Sequence, residues 1–160
     1  MAKMKMTRLI FQIDPFFKRS KSGSIWGTIY FENGDGQAFP DRGWTDLVAA
    51  FLRGWMSALV RIAHGTSSTE RVVFYDGPMQ VELNAKGRNL VEIIFFHREE
   101  PQVTAEEEML HLLSGSARVS ETLLTACEER DWYDADTAAV MSLLADCRDL
   151  VARYESDAAV

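Results

Sequence analysis

Residues 44–63, WTDLVAAFLRGWMSALVRIA, decide the fold because they form the clearest amphipathic helix in the chain. Apolar side chains recur there every three or four residues, which places them on one helix face: Trp44, Val48, Phe51, Trp55, Leu59 and Ile62. Arg53, Ser57 and Arg61 fall on the opposite face, and Gly65 is placed to end the helix. A face that carries two Trp side chains and a Phe needs a sheet as its partner.

Alternating apolar and polar side chains predict strands on both sides of this helix. The predicted strands fall at residues 7–13, 23–33, 72–75, 79–83 and 90–97. Turn-forming residues separate most of them, so an antiparallel meander of about five strands is expected. The basic stretch 14–23, DPFFKRSKSG, is predicted to be a loop, and 33–36, NGDG, a hairpin-type turn. Asp76 is expected to accept a hydrogen bond within its own Asp-Gly-Pro turn.

In the last third of the chain the pattern changes, and two helices are predicted. Thr104 followed by Glu107 is typical of a capping box, and the acids at 106–108 then lie in a first turn, where the helix dipole favours them. Asp136 is placed to cap the last helix. The pattern leaves open whether the first of these helices runs unbroken through Gly115 or is interrupted there.

These elements predict an α+β fold that forms a single domain, residues 1–160. Residues 7–100 supply the sheet together with helix 44–63, and residues 103–157 supply an acidic pair of C-terminal helices. The composition is that of an ordinary globular chain, with 160 residues, 47% of them hydrophobic and 26% charged.

The net charge of −7 is unevenly distributed along the chain. Residues 1–100 hold 13 Lys and Arg against 11 Asp and Glu, whereas residues 101–160 hold 4 against 13. Nucleic acids bind basic surfaces, because Lys and Arg replace the counterions condensed on phosphate. The acidic C-terminal part therefore argues against nucleic acid as a partner and favours either a basic protein partner or simply solubility.

The sequence predicts a cytoplasmic protein that does not enter a membrane. Arg8, Gln12 and Asp14 interrupt the N-terminal apolar run, which therefore lacks the hydrophobic region of a signal peptide. No apolar run approaches the ~18 residues of a transmembrane helix. Cys127 and Cys147 are too few for a disulfide scaffold and are expected to be inert packing residues on apolar helix faces.

The sequence contains no motif of a catalytic, metal or cofactor site, so a non-enzymatic protein without a cofactor is predicted. The three histidines, His64, His97 and His111, lack the spacing of metal ligands, and His64 is expected in the last turn of the first helix. The serines at 114, 116 and 120 are interpreted as helix-boundary residues. A small hydrolase is a less favoured alternative, and it requires a pocket in which His97 or His111 meets carboxylates.

Acidic positions in the last third of the chain are the predicted partner-binding residues. They fall in two runs, and the second, CEERDWYDAD at 127–136, interleaves acids with aromatic side chains. Exposed aromatics among charges of one sign are typical of a protein-binding surface, and the alternative is that these side chains are buried beneath the two helices. The predicted contact residues are Glu106, Glu107, Glu108, Glu128, Glu129, Asp131, Trp132, Asp134 and Asp136.

Three stretches carry a resemblance to known proteins: IYFENGDGQAFP (29–40), GWTDLVAAFLRGW (43–55) and FYDGPMQVELNAKGRNLVEIIFF (74–96). In this order they resemble a family of small bacterial immunity proteins from polymorphic-toxin and contact-dependent inhibition systems. The shared features are a strand that ends near Phe39-Pro40, a Trp44-x-Asp46 pair at the start of a helix, Trp55 in its middle, and a Phe74-x-Asp76-Gly77 turn. The resemblance covers about residues 25–97 and excludes the acidic segment that follows.

The resemblance implies that Trp44 and Trp55 belong to the packing of the helix on the sheet, with no ligand bound there. It also implies that an outer surface of the protein neutralises a cognate toxin by direct contact, a basic nuclease domain being one such partner. An acidic inhibitor suits a basic toxin through electrostatic steering. The alternative is another phage- or secretion-associated adaptor protein, which the residues alone do not distinguish from an immunity protein.

Overall fold

The computed structural model describes residues 4–6 and 8–159, and in that part of the chain it contains nine strands and three helices. The strands are β1 Met4–Met6, β2 Ile10–Arg19, β3 Ile25–Glu32, β4 Ala38–Phe39, β5 Thr45–Leu47, β6 Thr69–Val73, β7 Met79–Lys86, β8 Leu90–His97 and β9 Glu100–Glu108. The helices are α1 Val48–His64, α2 Met109–Arg130 and α3 Ala135–Ala158. The predicted α+β class, with one helix on a sheet and a C-terminal helical pair, is confirmed.

The strands are more numerous than predicted, and they divide between two sheets. The first has the order β1-β9-β8-β7-β6 and is antiparallel except where β1 runs parallel to β9. The second is built around β3, which pairs with β2 along one edge and with β4 and β5 along the other. Three strands of the predicted meander, β6, β7 and β8, pair antiparallel in sequence order within the first sheet. The other two predicted strands correspond to β2 and β3 and lie in the second sheet.

The predicted loop at 14–23 is wrong, because β2 continues to Arg19 before a short turn leads into β3. The register of β2 on β3 shifts between Ile13 and Phe17, which marks a β-bulge. Pro15 lies in this bulge, one of the few places in a sheet where a residue without an N–H donor is tolerated. Composition suggested a loop, whereas pairing with β3 makes the segment a strand.

Helix α1 begins at Val48, so the predicted start at Trp44 lies four residues too early. The intervening Thr45–Leu47 pairs with β3 as β5 and is therefore extended. From Val48 onward the apolar stripe is buried, Arg53 and Arg61 are exposed, and Gly65 ends the helix with φ of 75°, as predicted, whereas Trp44 and Ser57 are half-buried. A left-handed residue at this position is favourable for glycine, which has no Cβ.

An aromatic cluster joins both sheets to α1 at the centre of the molecule. The Phe31 ring of β3 lies 4.8 Å from that of Trp55 and 5.5 Å from that of Phe95 on β8. Phe51 of α1 stacks on Phe74 at 4.4 Å. All five side chains are buried, so the aromatic face of α1 packs against residues of both sheets.

The predicted capping box at Thr104 is wrong, because residues 100–108 form β9 rather than the start of a helix. Thr104 pairs with Ile94 of β8, and the ladder continues to the end of β9. Helix α2 starts at Met109 and runs unbroken through Gly115. The predicted division of the single domain into a sheet part, 7–100, and a helical part, 103–157, therefore falls within a strand of the first sheet.

Two further predictions about the C-terminal helices are corrected. The serines at 114, 116 and 120 lie inside α2 rather than at a helix boundary, and Ser116 accepts a hydrogen bond of 2.8 Å from the indole nitrogen of Trp55. Helix α3 is capped by Asp134, not by Asp136. Helix α3 packs on both α1 and α2, and none of the helices in the described ranges is long and apolar enough to cross a membrane.

Candidate functional site

The predicted contact residues do not form one surface, because they lie at opposite ends of α2. Glu106, Glu107 and Glu108 precede the helix, whereas the run 128–136 starts in its last turn. A helix rises 1.5 Å per residue, so the 22 residues of α2 separate the two groups by roughly 30 Å.

In the first group, Glu107 has an internal role. Its Oε2 atom accepts a hydrogen bond of 2.9 Å from the backbone nitrogen of Leu9, which ties the start of β2 to the end of β9. Glu106 and Glu108 are exposed and form no ion pair with any described residue. Two of the three acids are therefore available to a partner.

In the second group, Asp134 and Asp136 stabilise the fold. Asp134 Oδ1 accepts a hydrogen bond of 2.7 Å from the backbone nitrogen of Thr137, and the Thr137 hydroxyl accepts one of 2.9 Å from Asp134 N. This reciprocal capping box satisfies N–H groups at the start of α3. Asp136 forms a 3.1 Å ion pair with Arg53 of α1. Both carboxylates already have partners within the chain.

The connection between α2 and α3 is short and held by hydrogen bonds. Asp131 ends α2 in the left-handed conformation with φ of 56°, and the backbone nitrogen of Trp132 donates to Cys127 O at 2.9 Å. Trp132 is half-buried and packs on the core, with the Arg130 guanidinium 4.9 Å from its ring centre. Trp132 therefore braces the connection, and the exposed aromatic side chain is the adjacent Tyr133, at 57% exposure.

A second exposed aromatic side chain lies beside the end of α2. Phe16, in the β2 bulge, is 80% exposed. Arg130 Nη1 donates a 2.8 Å hydrogen bond to the carbonyl of Phe17. Pro15 of β2 and Glu129 of α2 together line a shallow depression on the surface. Phe16 was not predicted as a site residue, because the segment 14–23 was predicted to be a loop. The one available signal was the order Pro-Phe-Phe, which is consistent with a bulge that directs one ring inward and the other outward.

Five exposed residues thus surround the end of α2, and together they form what we term the acidic corner: Phe16, Glu128, Glu129, Asp131 and Tyr133. Its three carboxylates form no ion pair with any described residue. Its aromatic side chains are carried by a bulge and a capped turn whose backbones are fixed by hydrogen bonds. The acidic corner combines negative charge with preorganised apolar area.

Of the two histidines named for the enzymatic alternative, His97 and His111, the second lies near a carboxylate. His111 Nε2 lies 3.8 Å from Glu107 Oε2, but it is closer to Leu9 O, at 2.8 Å. Its Nδ1 lies 3.1 Å from a guanidinium nitrogen of Arg8. A guanidinium can only donate, so Nδ1 accepts and Nε2 carries the proton that it donates to Leu9 O. Both ring nitrogens of His111 thus hold β2 against α2.

The other candidate polar residues are exposed or serve packing. His97 and His64 are exposed, and His64 lies in the last turn of α1 as predicted. Across residues 4–6 and 8–159 there is no group of three His, Cys, Asp or Glu positioned to hold a metal ion. The two cysteines are buried and unpaired, and burial raises the pKa of Cys147 to about 12.

Asp46 is a fully buried carboxylate, and its hydrogen bonds explain the Trp44-x-Asp46 motif. It accepts a 3.0 Å hydrogen bond from the Trp44 indole and further bonds from the backbone nitrogens of Leu47 and Tyr75. Asp76, which was expected to accept within its own turn, is exposed and has no hydrogen bond with a described residue. The stretch around Trp44 is therefore a structural corner where both sheets meet α1.

Comparisons of the chain with models of known protein families, with curated proteins and with solved structures found no significant match.

Proposed function

We propose that this protein binds a basic protein toxin through the acidic corner and neutralises it by direct contact, without catalysis. The observation that carries the proposal is the pair of exposed aromatic side chains, Phe16 and Tyr133, flanked by three carboxylates that lack partners within the described chain. The resemblance to bacterial immunity proteins supports the same function.

The physical properties of the acidic corner suit this role. Aromatic side chains are frequent binding hot spots because they bury a large apolar area with few rotatable bonds. The backbone hydrogen bonds at Phe17 and Trp132 already fix the segments that carry them, so little conformational entropy is lost on binding. Unpaired carboxylates around these anchors accelerate encounter with a basic partner and disfavour acidic ones.

The neutralising function is tested by co-expression with the product of the adjacent upstream gene. A complex recovered by pull-down, together with restored growth of the host, is the expected result. Failure of the wild-type protein both to bind and to restore growth would refute the function. Binding without restored growth would replace neutralisation with an adaptor role.

The binding surface is tested separately with two matched charge reversals. Glu128→Lys with Glu129→Lys changes the acidic corner, and Glu106→Lys with Glu108→Lys makes the same charge change at the other end of α2. Only the first pair is expected to weaken the complex, by slower association that is most marked at low ionic strength. If the second pair weakens it equally, the acidic corner is not the contact surface.

The aromatic anchors are tested by Phe16→Ala and Tyr133→Ala, with exposed Tyr75→Ala as the control. A hot-spot side chain contributes about 2 kcal/mol or more, which corresponds to an affinity loss of roughly 30-fold. Unchanged affinity in both corner variants would place the contact elsewhere on the surface.

A further inference from the structure

Strand β6 forms an open edge of the first sheet, in which it pairs only with β7. In an antiparallel ladder, alternate residues exchange hydrogen bonds with the partner strand, and the residues between them direct their backbone groups away from it. The backbone nitrogen of Phe74 donates to Met79 O at 3.0 Å, so the even-numbered residues are those bonded to β7. The residues that direct their N–H and C=O groups outward are therefore Thr69, Arg71 and Val73.

The outward groups of Arg71 and Val73 have no hydrogen-bond partner among the described residues. Partners are present at the two ends of the strand, where the Thr69 carbonyl accepts from a serine hydroxyl at 2.9 Å and Tyr75 N donates to Asp46. The outer edge of β2 differs, because side chains of α2 donate to its carbonyls. Arg71 and Val73 each leave one donor and one acceptor at the open edge.

The usual protections of an exposed edge are missing from β6. Such edges are typically blocked by a proline, a bulge or a charged side chain that prevents pairing with another chain. Strand β6 contains no proline, and its ladder with β7 runs without a register shift. Arg71 lies back across its own sheet, with Nη1 3.0 Å from Gln80 Oε1 and the guanidinium carbon 4.3 Å from the ring centre of Phe96. On the opposite face of the strand, Glu70 is bonded to an arginine of α1. Both charges of β6 are therefore bound within their own molecule.

We propose that β6 pairs antiparallel with β6 of a second copy of this chain, about a two-fold axis at Val72. In this register Arg71 of one copy lies opposite Val73 of the other, and each such pair exchanges two hydrogen bonds. The donor and the acceptor that each residue leaves free are satisfied by the same edge of the second copy, so the edge is complementary to itself. A two-fold interface closes after two copies, which prevents the open edge from recruiting further chains.

Charge selects this register among those that the edge could adopt. Aligning Arg71 with itself across the two-fold axis would set two cations opposite each other, and aligning Glu70 with itself would do the same for two carboxylates. Like charges directly opposite each other destabilise a strand pair. The register at Val72 avoids both, and it places Val73, which is 43% exposed, against the aliphatic part of Arg71 of the second copy. None of these residues belongs to the acidic corner, so this association does not depend on the proposed contact with a toxin.

Sedimentation equilibrium of the full chain tests the association. The interface is small, so a dissociation constant on the order of 10–100 µM is expected. The mean mass should rise from that of one chain towards that of two between about 5 and 500 µM, and the amide protons of Arg71 and Val73 should exchange more slowly at the higher concentration. A protein that stays monomeric over this range would overturn the proposal and leave the edge to a strand of a different protein.

Two substitutions of one residue test the register. Val73→Lys sets a like charge opposite Arg71 of the second copy, and because the contact occurs twice, dimerisation is expected to weaken about tenfold or more. Val73→Glu sets an opposite charge there, and its dissociation constant should stay within about threefold of that of the wild type. Val73 is exposed and its backbone groups do not bond to β7, so both variants should keep the thermal midpoint of the wild-type monomer at low concentration.

The control is Met141→Lys, which introduces the same charge at an exposed apolar residue of α3 and should dimerise like the wild type. Equal weakening by the two substitutions of Val73 would contradict the register. A dimer that Val73→Lys leaves intact, or that Met141→Lys weakens as much, would place the contact elsewhere and refute pairing through β6.

Discussion

Replacing Gly27 with alanine is expected to destabilise the protein, because the ring of Phe17 lies directly over this glycine. The two residues are opposite each other in the β2–β3 ladder. A Cβ atom on Gly27 would lie 2.5 Å from Phe17 Cδ1 and 2.9 Å from Cε1. Carbon atoms in favourable contact are about 3.5–4.0 Å apart, so the ring has to move by about 1 Å or more.

The size of the effect follows from what Phe17 can do in response. Phe17 is only 5% exposed, so movement of its ring either strains the surrounding core or brings apolar surface into water. Overpacking typically costs about 1–3 kcal/mol, and full exposure of a buried phenylalanine costs about 1.5–3 kcal/mol. A loss of about 1–3 kcal/mol in the free energy of unfolding is therefore expected for Gly27→Ala, measured by urea denaturation.

Gly54→Ala on α1 is the matched control, because its Cβ would lie at an ordinary 3.5 Å from Val72. In this variant the main effect is the reduced conformational freedom of the unfolded chain. The free energy of unfolding is therefore expected to increase by about 0.5–1 kcal/mol. In Gly27→Ala, the additional change Phe17→Leu is expected to restore part of the loss, since the two sites are coupled by contact. A neutral or stabilising Gly27→Ala would refute the reasoning.

Three further predictions concern buried and titratable groups. Asp46→Asn is expected to lower the free energy of unfolding by about 1–3 kcal/mol in urea denaturation, because several donors converge on this one carboxylate. The control Asp76→Asn, at an exposed position, should change it by less than about 0.5 kcal/mol. Equal effects of the two variants would contradict a structural role for Asp46. Hydrogen bonds from Arg61 and Ser67 lower the pKa of Glu70. Its ionised carboxylate therefore stabilises the folded state above about pH 4.3, and this stabilisation is lost as the pH falls through the folded-state pKa. The thermal midpoint should then fall more steeply on acidification in the wild type than in Glu70→Gln, and parallel curves would argue otherwise. Cys147 should react with a thiol reagent at pH 8 only on unfolding, because burial raises its pKa to about 12; rapid labelling of the native protein would disprove this.

Elements specified by local pattern could be predicted from the sequence, and elements specified by long-range pairing could not. The α1 stripe and the glycine that ends it are signals contained within one segment. The segment 100–108 carries the signals of a helix start, but its pairing with β8 outweighs them and makes it a strand. The bulge in β2 was missed for the same reason, since only the register with β3 reveals it.

The candidate site was predicted by residue type but not by arrangement. The sequence drew attention to residues 127–136, where acids are interleaved with Trp132 and Tyr133, and this segment contains the α2–α3 connection. The sequence does not specify which of the two aromatic side chains is exposed. In the fold Trp132 is half-buried and Tyr133 is exposed. The inclusion of Phe16 depends on the contact between Arg130 and β2, which no sequence spacing encodes.

Three arginines of the C-terminal helices bind groups other than the carboxylates of the acidic corner. Arg118 and Arg130 turn toward the outer edge of β2, where they donate to the carbonyls of Phe11 and Phe17. Arg148 pairs with a glutamate on α2. An unpaired strand edge promotes association between chains, so α2 covers it and uses its cations to satisfy backbone groups. These cations bind backbone carbonyls or Glu121, and Glu128, Glu129 and Asp131 form no ion pair with any described residue.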